Sequence, residues 1–384
     1  MATSDLPAPG RLAYLDNLRS FVIFLVVVMH SNVTYSGFGG WYYKEGNPDH
    51  LDTVSKLLFG LYGSFTQAWF MGILFFVAAY FAARSLERHG PGKFVRERLF
   101  RLGVPLLIYM FVIHPFIVYF LMNYNNVQSF GLISFYGRYL ASLSWVGSTG
   151  PLWFAEALLL FCLPYALWRA LRPAVPRTTE APGTLTVVLV IAVTGLTAFG
   201  IRLFMSVGES VANLQFPYFA SYIALFLFGL HAGERRWLDR LPEKVGLRWF
   251  TVVLAAGIPL WGVLMVTGGA LQGRMDFNGG LNWPAFAYAF WEAFVAIGFT
   301  LGLVVFFRRF VAGSGRVSHL LAENSFSIFT FHAPVLISLS LVLREWAAPL
   351  LLKHVVVAPL AFGVTLALSF LVLRRIPGLR TVLK

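Results

Sequence analysis

Long apolar runs alternate along this chain with short polar or basic segments. Ten of these runs are about 20 residues long, the length that an α-helix needs to cross the hydrocarbon core of a bilayer. They lie near residues 16–36, 62–83, 102–123, 151–171, 185–206, 216–233, 249–268, 284–307, 320–343 and 353–374. The pattern predicts an all-α, polytopic bundle of about ten transmembrane helices. The stretches 185–206 and 216–233 are the weakest, because Arg202 interrupts the first and the second is short.

Composition supports a membrane protein rather than a soluble one. The 384 residues are 58% hydrophobic and 12% charged, with a mean hydropathy of +0.71. The formal charge of +13 is spread between the apolar runs, which suits orientation among membrane lipids better than binding to nucleic acid. The single cysteine, Cys162, excludes an internal disulfide and a multi-cysteine metal site. We expect one membrane domain over residues 1–384, with no metal and no nucleic-acid partner.

The basic residues also predict an orientation. When the ends and loops are assigned alternately to two sides, one side receives 22 basic residues, among them Arg11, Arg177 and Lys384, and the other receives six. Cytoplasmic segments are the ones enriched in Lys and Arg. The split therefore predicts that both termini lie in the cytoplasm and that the chain resides in a plasma membrane or a bacterial inner membrane.

The first apolar stretch carries three costly polar residues, Asp16, Arg19 and His30. His30 lies eleven positions after Arg19, which is about three helical turns, so the two side chains share a face and lie roughly 16 Å apart along the axis. Because an ionisable residue within a transmembrane helix is costly, it indicates a functional role more often than a role in packing. Imidazole is the usual general base near neutral pH. The competing interpretation is a hydrogen-bonded core histidine, and the shared face with Arg19 favours catalysis.

Two arginines precede the third stretch. Arg98 and Arg101 are spaced to share a helical face, and guanidinium groups in that arrangement bind phosphates through charge-assisted hydrogen bonds. The positive charge of these two arginines is explained at least as well by a role in anchoring this segment to anionic lipid.

Further ionisable residues fall within the later stretches. His332 precedes Pro334, which frees a backbone carbonyl, and it either assists a site or bonds to a neighbouring helix. Glu156 is a candidate site residue, whereas Glu292 is better explained as a structural partner, for example of Arg202.

Two polar segments are rich in aromatic residues. Segments 39–45 and 278–283 combine aromatic rings with amide or carboxylate groups, which suits stacking on a sugar. An interfacial aromatic belt explains their Trp and Tyr residues at least as well.

Several of these motifs together resemble the acyltransferase-3 membrane proteins. Residues 14–19 followed by His30 are similar to that family's opening motif, in which an Arg or Lys precedes a His by ten intervening residues. Arg98-Leu99-Phe100-Arg101 resembles its Arg-x-x-Arg pair, and residues 151–154 resemble its Leu-Trp-Phe segment.

The likeness extends over nearly the whole chain. Residues 325–332 resemble the family's late helix, although Phe329 and Phe331 stand where that pattern has Tyr and Leu. The size, without an appended soluble domain, is similar to the branch that succinylates periplasmic glucans.

The resemblance implies transfer of an acyl group, acetyl or succinyl-like, from cytoplasmic acyl-CoA to a hydroxyl of an extracytoplasmic carbohydrate. Acyl-CoA is then a donor substrate, with no permanently bound cofactor. Catalytic candidates are His30, Asp16, Glu156 and His332, and candidates for binding the donor phosphates are Arg19, Arg98 and Arg101. His30 serves either as a base in direct transfer or as a transient acyl carrier.

Two other functions fit the same residues. A proton-coupled transporter also uses intramembrane Arg, His and Glu, although repeated halves with matching broken helices are not evident here. An acyltransferase acting on a lipid hydroxyl differs only in its acceptor. The sequence does not define the acyl group, the acceptor or the oligomeric state.

Overall fold

The computed structural model describes residues 12–127, 131–172 and 180–383, so Arg11, Arg177 and Lys384 lie outside the described residues. Within these ranges the fold is helical, and no β-strand is formed. The helices are α1 (Ala13–Ser36), α2 (Thr53–Arg98), α3 (Val104–Ile108), α4 (His114–Tyr124), α5 (Leu132–Ala141), α6 (Trp153–Leu171), α7 (Thr184–Arg202), α8 (Phe219–Arg235), α9 (Glu243–Val252), α10 (Ile258–Thr267), α11 (Trp283–Phe310), α12 (Arg316–Val342), α13 (Leu350–Leu371) and α14 (Pro377–Val382). π-Helical turns join α2 to α3, α3 to α4 and α9 to α10.

Nine helical segments of the described chain are long and apolar enough to cross a bilayer. One of them, Thr53–Tyr124, spans 72 residues and contains both of the stretches predicted at 62–83 and 102–123. Gly90 breaks it, with φ of 73° and ψ of 166°, a conformation that glycine adopts without a Cβ clash. The break gives two arms, so the segment supplies two crossings and the prediction of about ten is confirmed.

Contacts with α6 fix the direction of the second arm. Phe94, just after the break, packs edge-on against Tyr165 near the end of α6, whereas Tyr109 lies against Gly150, just before α6 begins. The second arm therefore runs antiparallel to α6. The basic segment between the two predicted stretches is helical on both sides of Gly90, where the sequence had indicated a loop.

Both ends of the described chain lie on one face of the bundle. Asn17, at the start of α1, donates to the Gly313 carbonyl at 2.9 Å, and Arg374, just after α13, pairs with Glu323 at 3.0 Å. Gly313 and Glu323 flank the start of α12. An even number of crossings requires this arrangement. That the shared face is cytoplasmic stays a prediction.

Small residues allow α8 to approach α2 closely. A Cβ built on Gly229 would lie 2.3 Å from the Phe76 carbonyl oxygen, and one on Gly233 would lie 2.7 Å from the Tyr80 carbonyl oxygen. Helix association in lipid depends on van der Waals contact rather than on the hydrophobic effect, so a Gly-x-x-x-Gly pattern stabilises such a pair. The α2 and α8 helices therefore pack backbone against backbone at these two glycines.

An ion pair joins α7 to α11 within the bundle. Arg202 donates to Glu292 at 2.6 Å and to the Pro217 carbonyl at 3.2 Å, and both charged side chains are almost fully buried. Removal of one partner would leave an uncompensated charge in the interior. The prediction that Glu292 is a structural partner is confirmed.

Helix α1 packs against α12 and α13 through a series of polar contacts. These are Ser20 with Ser325 at 3.0 Å, Ser31 with His354 at 3.0 Å, and Tyr35 with Ser340 at 3.3 Å. The residue numbers on α1 and α12 rise together, so these two helices are parallel neighbours. Side chains three or four turns apart on α1 therefore meet residues at matching heights on α12.

Candidate active site

Two histidines meet where α1 and α12 run side by side. Nδ1 of His30 lies 2.8 Å from Nε2 of His332, and the two rings are nearly parallel, with centroids 4.9 Å apart. His332 is fully buried, whereas His30 keeps partial exposure. The helix α12 continues through Pro334 without a break, so His332 occupies a regular helical position. The parallel packing of the two helices is what brings these side chains together.

The hydrogen bonds define which ring nitrogens carry protons. Nδ1 of His332 lies 2.8 Å from the Phe329 carbonyl and 3.3 Å from the Ile328 carbonyl, and a carbonyl oxygen only accepts. Nδ1 of His332 is therefore the protonated nitrogen, and its Nε2 accepts a hydrogen bond from Nδ1 of His30. Nε2 of His30 is left with a free lone pair. This is the arrangement of a general base held in one tautomer by a second group.

An aromatic residue covers the His30 ring. The indole of Trp41 stacks on it with centroids 3.8 Å apart and planes 16° from parallel, and it is also near-parallel to His332 at 6.1 Å. Trp41 belongs to residues 37–52, the connection from α1 to α2, which we call the strap. The sequence had associated segment 39–45 with sugar stacking or an aromatic belt. In the structure, Trp41 contacts the candidate base itself.

The strap is anchored on both sides of Trp41. The Tyr42 hydroxyl lies 2.7 Å from Nδ1 of His114 and 3.2 Å from the Tyr109 hydroxyl. Burial raises the pKa of Tyr42, so its phenol stays protonated and available for these hydrogen bonds. Glu45 binds Lys353 at 2.6 Å. These contacts hold the strap, and Trp41 with it, over the histidine pair.

Lys353 is one of the six basic residues that the alternating assignment gave to the second side, but it does not lie in a loop. It lies in the first turn of α13, is almost fully buried, and also donates to the Arg344 carbonyl at 2.7 Å. The lysine therefore joins α13 to the strap instead of facing water.

Asp16 and Arg19 lie together at the opposite end of α1. Their side chains pair at 3.1 Å, and Arg19 donates to the Ala322 carbonyl of α12 at 3.2 Å. A cavity of about 390 Å³ opens beside them. Its lining residues are Leu12, Ala13, Tyr14, Asp16, Ala312, Ser314, Ser318 and His319. The helix α1 thus carries His30 in its second half and the Asp16–Arg19 pair beside a cavity near its start.

The pair Arg98 and Arg101 contacts a different part of the bundle. Arg98 lies with its guanidinium carbon 5.1 Å from the Phe94 ring centre, and Phe94 packs against Tyr165 of α6. Arg101 is exposed in the π-helical turn Leu99–Gly103. The structure thus places these arginines beside α6 and Arg19 beside α12.

Glu156 lies in the first turn of α6. Its Oε2 atom is shielded from solvent and has no hydrogen-bond partner among the described residues. Nearby Thr149 accepts a hydrogen bond from Asn213 at 2.9 Å. The hydrogen bonds described for the two histidines do not involve Glu156. In the described ranges, no group of three or more His, Cys, Asp or Glu residues is arranged to hold a metal ion.

Sequence reasoning missed the residues around the strap. Tyr42, Tyr109 and His114 form one hydrogen-bonded group, yet they come from separate segments and share no motif. The cluster of Trp41, Tyr42 and Tyr43 was visible in the sequence, but its partner was not, since only the fold brings the strap over α1.

Comparison with known proteins identifies the family of the chain. Curated relatives named glucans biosynthesis protein C, from Salmonella paratyphi B, Salmonella heidelberg and Salmonella agona, are each 26% identical over 161 residues. The matched region covers 41% of this chain and 38% of each relative's length, so the chain matches well under half of those proteins. No solved structure matches. A profile of the acyltransferase-3 domain matches residues 12–374, which include every candidate site residue described above. The chain therefore belongs to the acyltransferase-3 family of multi-pass membrane proteins.

Proposed function

We propose that this protein is a membrane O-acyltransferase that moves an acyl group from cytoplasmic acyl-CoA to a hydroxyl of an extracytoplasmic glycan. The observation that carries the proposal is the hydrogen bond between His30 and His332. It leaves the lone pair on Nε2 of His30, the atom that a general base needs. His30 as a residue keeps partial exposure, and His332 supports the tautomer that a base at Nε2 requires.

The reaction is a direct transfer. Nε2 of His30 takes the proton of the acceptor hydroxyl while the oxygen attacks the carbonyl carbon of the thioester. The resulting tetrahedral intermediate collapses with cleavage of the carbon–sulfur bond. The coenzyme A thiolate then takes the proton from the His30 imidazolium, which returns the base to its starting state. Products are an ester and free coenzyme A.

The donor enters at the end of α1 that carries Asp16 and Arg19. The phosphates of coenzyme A require positive charge, which Arg19, Arg98 and Arg101 supply, while Asp16 orients Arg19 through their ion pair. The distance from Arg19 to His30, roughly 16 Å along the helix axis, suits an extended pantetheine arm that carries the thioester inward. We place this end in the cytoplasm because the basic residues concentrate there.

The acceptor approaches from the strap side. Glu156, with an oxygen lacking a protein partner, is suited to accept a hydrogen bond from an acceptor hydroxyl. The glucan named in the relatives' description supports a carbohydrate as the acceptor. The membrane is the bacterial inner membrane in this proposal, since acyl-CoA is cytoplasmic.

The test uses purified protein in proteoliposomes with radiolabelled acetyl-CoA or succinyl-CoA. The acceptor panel contains oligosaccharides of glucose and, separately, lipids with a free hydroxyl. We expect label on a carbohydrate, and loss of transfer in His30→Ala with donor binding retained. His354→Ala is the matched control, since it also removes a buried histidine that contacts α1.

Other outcomes point to other functions. Label on a lipid hydroxyl would replace the glycan as acceptor. Solute uptake into the proteoliposomes, with donor unaltered across the panel, would replace the enzyme by a transporter. Full transfer by His30→Ala would remove the catalytic assignment.

A further inference from the structure

The indole N–H of Trp41 is a buried donor without an acceptor. Nε1 is shielded from solvent, and no described residue accepts a hydrogen bond from it. A buried donor left unpaired costs about 1–3 kcal/mol, so such a group is retained at a cost to stability. Trp69 and Trp261 share this feature, but only Trp41 lies against the histidine pair.

The stacking geometry confines this donor to a plane next to the His30 ring. The indole and imidazole planes are 16° from parallel with centroids 3.8 Å apart, so the indole N–H and the Nε2 lone pair of His30 lie in adjacent, nearly parallel planes. The Nδ1 edge of His30 is closed by His332. A hydroxyl bound at His30 attacks the thioester next to this ring. The reacting carbonyl group therefore lies beside the indole of Trp41.

The chemistry of acyl transfer needs a donor at this place. Attack on the thioester turns the carbonyl oxygen into an oxyanion, and a fixed hydrogen-bond donor aimed at it lowers the barrier because no reorganisation is needed. The two anchors of the strap, Tyr42 with His114 and Glu45 with Lys353, fix Trp41 in advance. Neither histidine supplies this donor, because Nε2 of His30 is the base and Nδ1 of His332 is bound to backbone carbonyls.

We propose that the Nε1–H of Trp41 donates to the oxyanion formed during acyl transfer, which makes Trp41 a catalytic residue. This inference rests on the proposed function. When the acceptor oxygen bonds to the carbonyl carbon, the electron pair of the C=O π bond moves to the oxygen, which accepts from Trp41. The pair returns as the carbon–sulfur bond breaks, and the indole keeps its proton throughout.

The experiment replaces Trp41 by 3-benzothienylalanine, which keeps the size and stacking of indole but has sulfur in place of N–H. We expect kcat to fall roughly 100- to 1,000-fold, the usual effect of losing one such donor, with unchanged affinity for a non-reactive thioether analogue of acetyl-CoA. Trp41→Phe should be at least as slow. The matched control is the same replacement at Trp69, which is also unpaired but packs on Phe299, and it should keep wild-type kcat.

The outcomes are distinguishable. A benzothienyl variant with wild-type kcat, in a protein that transfers acyl groups, overturns the role of Trp41 alone, and stacking is then its whole contribution. An equal loss at Trp69 overturns it as well, since the effect would then arise from packing. Absence of transfer by the wild-type protein across the whole panel overturns the proposed function and this inference with it.

Discussion

His332 accepts a hydrogen bond at 2.8 Å from His30, although 302 residues separate the two in the chain. His332 is in turn fixed by carbonyls of its own helix, so its ring orientation depends on the backbone of α12 rather than on solvent. In the proposed mechanism His332 holds the His30 ring in one tautomer, as the carboxylate does in a Ser-His-Asp triad.

Substitution of His332 should impair catalysis without preventing donor binding. In His332→Ala the ring of His30 loses the acceptor at Nε2 of His332, so the tautomer that cannot take a proton at Nε2 becomes more populated. We expect kcat to fall roughly 100- to 10,000-fold, the range attributed to general-base catalysis. Steady-state kinetics with the labelled donor measure this, alongside donor binding by equilibrium dialysis. His354→Ala serves as the control, and a His332→Ala rate within twofold of wild type would contradict the prediction.

The buried pair Arg202 and Glu292 should behave as a unit in stability. Arg202→Met leaves the Glu292 carboxylate buried without its partner, and we expect a loss of about 3–5 kcal/mol in the free energy of unfolding. The double variant with Glu292→Met should recover most of it, because no charge remains to be desolvated. Thermal and denaturant unfolding in detergent measures the free energy of unfolding of the wild type, the two single variants and the double variant, which together form a double-mutant cycle. Additive losses would show that the pair does not interact.

Because α8 and α2 are in close contact, we expect that replacing Gly233 by a residue with a side chain destabilises the protein. A Cβ there meets the Tyr80 carbonyl oxygen at 2.7 Å, so Gly233→Val should force the helices apart and cost about 1–3 kcal/mol. Gly363→Val on α13 is the control, since nothing lies within 4 Å of a Cβ at that position. Both variants can be compared by melting temperature in one detergent. Equal stability of the two variants would argue against tight packing at Gly233.

Labelling with a membrane-impermeant thiol reagent tests the orientation. Cys162 is buried and is the only cysteine, so a Cys162→Ser background is free of thiols. We expect Ser314→Cys, between α11 and α12, to be labelled only after the cells are opened, and Gly40→Cys in the strap to be labelled in intact spheroplasts. The reverse pattern would place both termini outside.

Much of the fold was predictable because a bilayer imposes one length on every span. Each apolar stretch predicted from hydropathy is a helix, including the weak stretches 185–206 and 216–233. The break at Gly90 was not predicted, since a basic segment such as 84–101 continues a helix as readily as it forms a loop. Only the backbone conformation at Gly90 shows where the chain reverses.

The sequence indicated which residue types belong to the candidate site, but not which of these residues contact one another. His30 and His332 stood out because each is costly within a span. Their hydrogen bond depends on α1 and α12 being parallel neighbours, which hydropathy does not encode. The same holds for Trp41, whose position over His30 depends on anchors at Tyr42 and Glu45.

The packing of α1 against α12 and α13 has a consequence for biosynthesis. The first helix reaches the membrane long before its two partners are translated, and Ser20, Ser31 and Tyr35 lack their described partners until then. Helices inserted early associate laterally once later ones arrive. A product that stops before α12 therefore contains His30 but no His332, and the histidine pair forms only after α12 has been made and has packed against α1.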